Sequence, residues 1–175
     1  MAMAPSLRKF ALTAHVTSSV GWLGAVAGFL ALAIAGLTSR DAQMVRATYL
    51  VMDLTGWFVI VPLCLAALLT GLVSSLGTTW GLFRQYWVLL KLLMTIPSTI
   101  LLLVHMPPIS YIAGAAAETT LSSADFHGLR IQIVVEAGAA VLVLLVATAL
   151  SVYKPKGMTP YGWRKQHEQR ALSPK

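Results

Sequence analysis

The chain is poor in charge: only 11 % of its 175 residues are ionic and only six are acidic, less than half the share usual in soluble domains. So few ionic groups cannot cover a water-soluble globule of this size. It has one cysteine, Cys64, which excludes an intrachain disulfide, a C-x-x-C redox pair and a thiolate metal cage. Set inside an apolar run, Cys64 is read as a small residue buried in the protein or facing lipid. The sequence has no Ser-His-Asp arrangement, no H-E-x-x-H, no phosphate-cradling loop and no dinucleotide fingerprint, so nothing in it states a hydrolytic or nucleotide-dependent chemistry. No internal repeat is visible.

What it has is length of apolar sequence. Hydrophobic residues make up 57 %, and they fall into four runs at about 10–37, 49–76, 86–106 and 131–153. Each reaches the roughly 20 residues that a helix needs to cross a bilayer. The first is far longer than the about 7 to 15 apolar residues of a secretory signal and has no clear cleavage site, so it reads as a retained helix. The expected fold is all-α: a four-transmembrane-helix bundle over 1–153, followed by a basic tail at 154–175.

Charge sets the expected orientation. Nine of the thirteen Lys and Arg residues lie in the two tails and one short loop: Arg8 and Lys9, Arg84, then Lys154, Lys156, Arg164, Lys165, Arg170 and Lys175. With four spans these fall on one side, and the positive-inside rule makes it the cytoplasm, with both termini inside and the protein in the bacterial inner membrane. Opposite them stand Arg40, Arg46 and Arg130 with Asp41, Glu118 and Asp125. Trp80, Trp87, Tyr153, Tyr161 and Trp163 gather on the cytoplasmic side, where amphipathic rings anchor among headgroups. The net charge of +7 therefore addresses a lipid bilayer and not nucleic acid. The tail is expected to be partly disordered near anionic headgroups, and 107–129, which opens on Pro-Pro, to be an outer lid or surface helix.

Gly24 and Gly28 form a G-x-x-x-G pair, extended by Gly21 and Ser18, a small-residue face for close helix packing within the chain or between copies. Pro62 and Pro97 are expected to kink the second and third helices. An ionisable group in hydrocarbon costs at least about 2.5 to 3.5 kcal/mol, so each one needs a partner or a role. Counted along the helices from the flanking basic residues, Lys91 and His15 lie roughly 10 Å in from the cytoplasmic side. Asp53 and Glu136 lie roughly 10 Å in from the outer side, with His105 and His127 nearer that surface. Arg46 and Arg130 are candidate partners for the two carboxylates; protonation is the alternative. Lys91, Ser98 and His105 recur every seven residues with Met94 and Thr95 beside them, a polar stripe that should face the bundle interior. Snorkelling of the Lys91 amine to the headgroups is the alternative.

Two chemistries fit these positions. In the inner layer, His15 with the small residues Ser18 and Gly21, and Lys91 at matching depth, offers a ligand, a slot and a propionate partner for a b-type haem. In the outer layer, His105, Asp53 and Glu136 offer a copper or proton site.

The segment AHVTSSVGWLGA, with His15 seven residues before Trp22-Leu23-Gly24, resembles the first helix of the CopD-like copper-resistance membrane proteins and the HemJ-type protoporphyrinogen oxidases. RQYWVLLKLLMTIPSTILLLVH, with Trp87, Lys91 and His105, is similar to a later helix of the same group. In size and layout the whole chain is closest to a family of uncharacterised predicted bacterial integral membrane proteins, a likeness that implies no activity. The resemblance implies haem or porphyrin handling, with His15 as ligand and Lys91 as its charged neighbour, or copper handling. The chain departs from the pattern by Pro97 and by lacking a tandem histidine at the end of the third helix. Three expectations follow: a haem-associated redox protein, a small metal or proton-coupled transport protein, and an accessory subunit or structural membrane protein whose polar residues only pack and register helices; a homo-oligomer or a membrane partner subunit is an open alternative for its assembly. Whether the chain is an enzyme is left open.

Overall fold

The computed structural model describes residues 4–77, 82–118, 126–155 and 157–171. Trp80, Asp125, Lys156 and Lys175, used above in the reading of orientation, lie outside them. The architecture is all-α, with four helices long and apolar enough to cross a membrane: α1 (Pro5–Thr38), α2 (Ala42–Thr55) continued into α3 (Val61–Leu76), α4 (Tyr86–Ala117) and α5 (His127–Tyr153). A shorter α6 (Pro160–Ala171) follows. Among the described residues there is no strand, only an isolated bridge between Gln85 and Met158.

Helix α1 is the axis of the bundle and packs on α2, α3 and α5, while α4 packs on α2 and more sparsely on α3 and α5. Trp22, Val26, Phe29 and Ala33 recur at helical spacing and are all buried, so one stripe of α1 forms the centre of the core. The α1–α2 turn is capped by Asp41, whose carboxylate accepts from the Gln43 amide at 3.0 Å, satisfying one of the free amides at the start of α2.

Proline lies within both middle spans. Pro62 is preceded by one π-helical turn, Gly56–Ile60, closed by the Val61 amide on the Gly56 carbonyl. That turn absorbs the donor that Pro62 lacks, so 42–76 runs as one span. In α4 the prolines do not end the helix. Pro97, Pro107 and Pro108 all lie inside it, and it runs to Ala117, eleven residues past the expected end at Met106. Burial explains the extension, because Ile109, Ile112, Ala113 and Ala116 face the core and their packing outweighs the loss of intrahelical donors. What was expected as the first part of an outer loop is the last third of a spanning helix.

The described part of the tail is docked on the α3–α4 loop. The Thr159 amide donates to the Arg84 carbonyl at 3.0 Å and the Tyr86 amide to the Gly157 carbonyl at 3.3 Å. The Thr159 hydroxyl donates to the Phe83 carbonyl, and Gly162 lies so close that a methyl there would stand 2.5 Å from the Arg84 oxygen. Backbone pairing with the α3–α4 loop supplies the order that composition alone does not.

Candidate functional site

In the half of the bundle near the termini, His15 leaves α1 and lies in a notch of α3. Its Nδ1 stands 3.0 Å from the Ala67 carbonyl, and a Cβ on Gly71 would meet the ring at 3.0 Å. A carbonyl only accepts, so Nδ1 carries the proton and the lone pair sits on Nε2, an orientation that suits a metal ligand. The rest of the expected haem slot is not built this way. Ser18 is buried with its hydroxyl on the Ala14 and His15 carbonyls, and Gly21 faces Leu63 of α3, so α3 fills the small-residue face. Lys91 lies within electrostatic reach of His15, but its amine donates to Ser151 at 3.0 Å and sits 4.7 Å over the Trp87 ring. Both partners lie toward the terminal ends of α4 and α5, so the amine bridges two helices as it reaches that surface. Gly24 and Gly28 are exposed, with open space above each; among the described residues nothing meets the open face of the G-x-x-x-G pair.

The other half holds the closer constellation. His105 Nε2 lies 2.9 Å from Glu136 Oε1 across the α4–α5 interface, and Gln132, one turn before Glu136, places its amide nitrogen 2.7 Å from the same oxygen and 3.3 Å from Nε2. His105 Nδ1 is 2.8 Å from the Leu101 carbonyl, so Nδ1 is a donor. The unshared form, a neutral imidazole facing a carboxylate, would set two acceptors against each other at Nε2 and Oε1. One further proton must therefore reside between His105 and Glu136. The pair is then net neutral, as imidazolium with carboxylate or as imidazole with carboxylic acid, which is how ionisable groups persist in hydrocarbon.

The three residues expected as an outer metal set do not converge. Asp53 instead accepts from the Ser110 hydroxyl at 2.6 Å, and Ser110 in turn accepts from the Trp57 indole at 3.0 Å. Ser110 follows His105 by five residues, which turns it to a different face of α4. Among the described residues no group of three or more His, Cys, Asp and Glu side chains could hold a metal ion. Neither carboxylate pairs with an arginine: Glu136 has His105, Asp53 has Ser110, and Arg46 is exposed. His105 lies inside α4 and not at its end, because the helix continues for twelve residues beyond it, about 18 Å of helix. His127 is the first residue of α5 and is exposed.

The His105–Glu136 pair borders a cavity of about 140 Å³ between α1, the π turn, α4 and α5. Its walls are mainly apolar, with Trp22, Phe29, Met106 and Ile133, and Ser98 adds a hydroxyl. The polar stripe of α4 thus faces inward at Ser98 and His105. Gly56 makes room at the π turn, since a methyl there would lie 2.5 Å from the Met106 Cε. The Trp22 indole N–H is buried and has no acceptor. Sequence reasoning missed Gln132, Ser110 and Trp22 as members of these sites. Gln132 was legible as the residue four before Glu136 on a helix; Ser110 lay in what was read as a loop. No family model, no curated protein and no solved structure matches this chain.

Proposed function

We propose that this multi-pass membrane protein takes up a small apolar molecule bearing a hydrogen-bond acceptor in the α1–α4–α5 cavity and couples its passage to the proton shared by His105 and Glu136. The carrying observation is the 2.9 Å contact between Nε2 and Oε1 with Nδ1 already committed to the Leu101 carbonyl. A cavity of about 140 Å³ is close to one of about 150 Å³ that admits a benzene ring. Trp22 is one of the wall residues, and its buried indole N–H has no acceptor among the described residues. The charge asymmetry of the loops supports a cytoplasmic-membrane location with both termini inside. In vesicles containing the purified protein and an imposed pH gradient, uptake of small apolar carbonyl-bearing probes should follow the gradient. Uptake should lose that dependence in Glu136→Gln. Wild-type protein that moves no probe, or moves it indifferently to pH, refutes the reading.

A second reading rests on His15. Its fixed tautomer leaves an Nε2 lone pair for the iron of a b-type haem, which would supply one-electron chemistry when bound. Lys91 within electrostatic reach supports it, and the filling of the Ser18 and Gly21 face by α3 weighs against a macrocycle between α1 and α3. An absorption spectrum of protein purified from haem-supplied cells tests it: a Soret band lost in His15→Ala supports haem, and a colourless protein excludes it.

A further inference from the structure

Arg130 has no role in the cavity. It is in the first turns of α5, 7 % exposed, with its Nε buried and without a hydrogen-bond partner among the described residues. No carboxylate among the described residues reaches it within ion-pair distance. Its guanidinium lies 5.4 Å from the ring of Tyr49, which is 1 % exposed and whose hydroxyl is also buried and unpartnered. Tyr49 is held in place from the other side by Gly36 of α1, where even a methyl would stand 3.0 Å from the ring and from the Thr48 hydroxyl. Three helix ends therefore meet around a buried cation and two unused donors.

A buried guanidinium without an anion carries a desolvation cost that a ring face only partly offsets. Side chains on a helix lean toward its N-terminus, so the start of α5 is the direction in which Arg130 is expected to project. Among the described residues no side chain caps that end, and the amides at a helix start favour negative charge. An arginine fork, a phenol O–H and helix-start amides form the donor set that recognises phosphate oxygens.

We propose that Arg130, Tyr49 and the N-terminus of α5 form a binding site for a phosphate-type anion at the end of the bundle away from the termini. The ligand is a phospholipid headgroup or a free phosphate, and the two sources share this chemistry. The site is independent of the His105–Glu136 cavity.

The full chain in mild detergent is titrated with inorganic phosphate by calorimetry and with phosphatidylglycerol, against phosphatidylcholine, by native mass spectrometry. One anion should bind per chain. Binding of inorganic phosphate identifies a free anion; binding of phosphatidylglycerol alone identifies a headgroup. Arg130→Gln should weaken binding about tenfold or more, as expected for a charge-assisted hydrogen bond. Tyr49→Phe, which keeps the cation and the ring, should weaken it by a smaller factor and serves where Arg130→Gln does not fold. Three results overturn the proposal: no binding of either probe, binding unchanged in both variants, or binding that emerges only in Glu118→Gln or Asp125→Asn, which would make one of the chain's own carboxylates the partner.

Discussion

Replacing His105 and Glu136 by leucine, singly and together, tests whether they act as one unit. Leucine suits hydrocarbon and approximates both volumes, so the double variant exchanges a polar pair for an apolar contact. Each single variant leaves the other group without its main partner. Glu136 would keep only the Gln132 amide at 2.7 Å, and His105 only the weaker Gln132 contact at 3.3 Å and its own-helix bond to Leu101. A charge-assisted hydrogen bond contributes about 1.5–3 kcal/mol in soluble proteins, whereas polar pairs within membranes average about 0.6 and reach about 1.7 kcal/mol. The side chains are 22 % and 25 % exposed, which places this pair toward the top of the membrane range. A coupling energy of about 1–1.5 kcal/mol is expected, roughly a five- to tenfold change in the unfolding equilibrium. Equilibrium unfolding in mixed micelles measures it. Additivity to within about 0.5 kcal/mol refutes the shared-proton pair.

Other outcomes follow from close contacts. Cys64 is fully buried and sits 3.2 Å from Thr99, whose hydroxyl already donates to the Thr95 carbonyl, so the thiol is the donor; maleimide labelling should be slower than in unfolded chain by about a hundredfold or more, and equal rates contradict the α3–α4 packing. Gly162→Ala places a methyl 2.5 Å from the Arg84 carbonyl, where backbone cannot yield cheaply. It should release the segment after Tyr153 and expose it to trypsin, and unchanged digestion would mean that the docking is not held there. Gly56→Ala drives against Met106 at the π turn and should cost about 1–3 kcal/mol while reshaping the cavity, read as loss of apolar-probe binding at unchanged secondary structure by circular dichroism.

The scarcity of charge and the four apolar runs determined the all-α, four-span architecture without reference to any contact, because a bilayer admits few other solutions for a lone chain. The intramembrane ionisable groups were equally legible, since each stands out against an apolar background. Their partners were not. Spacing along α5 tied Gln132 to Glu136, but only the packing of α5 on α4 brought His105 to Glu136 and turned Asp53 toward Ser110 and Trp57. The sequence placed His105 at the surface because Pro107 and Pro108 read as a helix end. Tertiary burial of Ile109, Ile112 and Ala116 carried α4 past them and left His105 inside the helix, opposite Glu136 of α5. Likewise the glycine faces of α1 were visible in the sequence, but which of them α3 would cover, at Gly21, and which would stay open, at Gly24 and Gly28, was decided by the relative rotation of the helices. Local pattern specifies what a helix is and which residues it must place; the side that meets a neighbour is a collective property of packing.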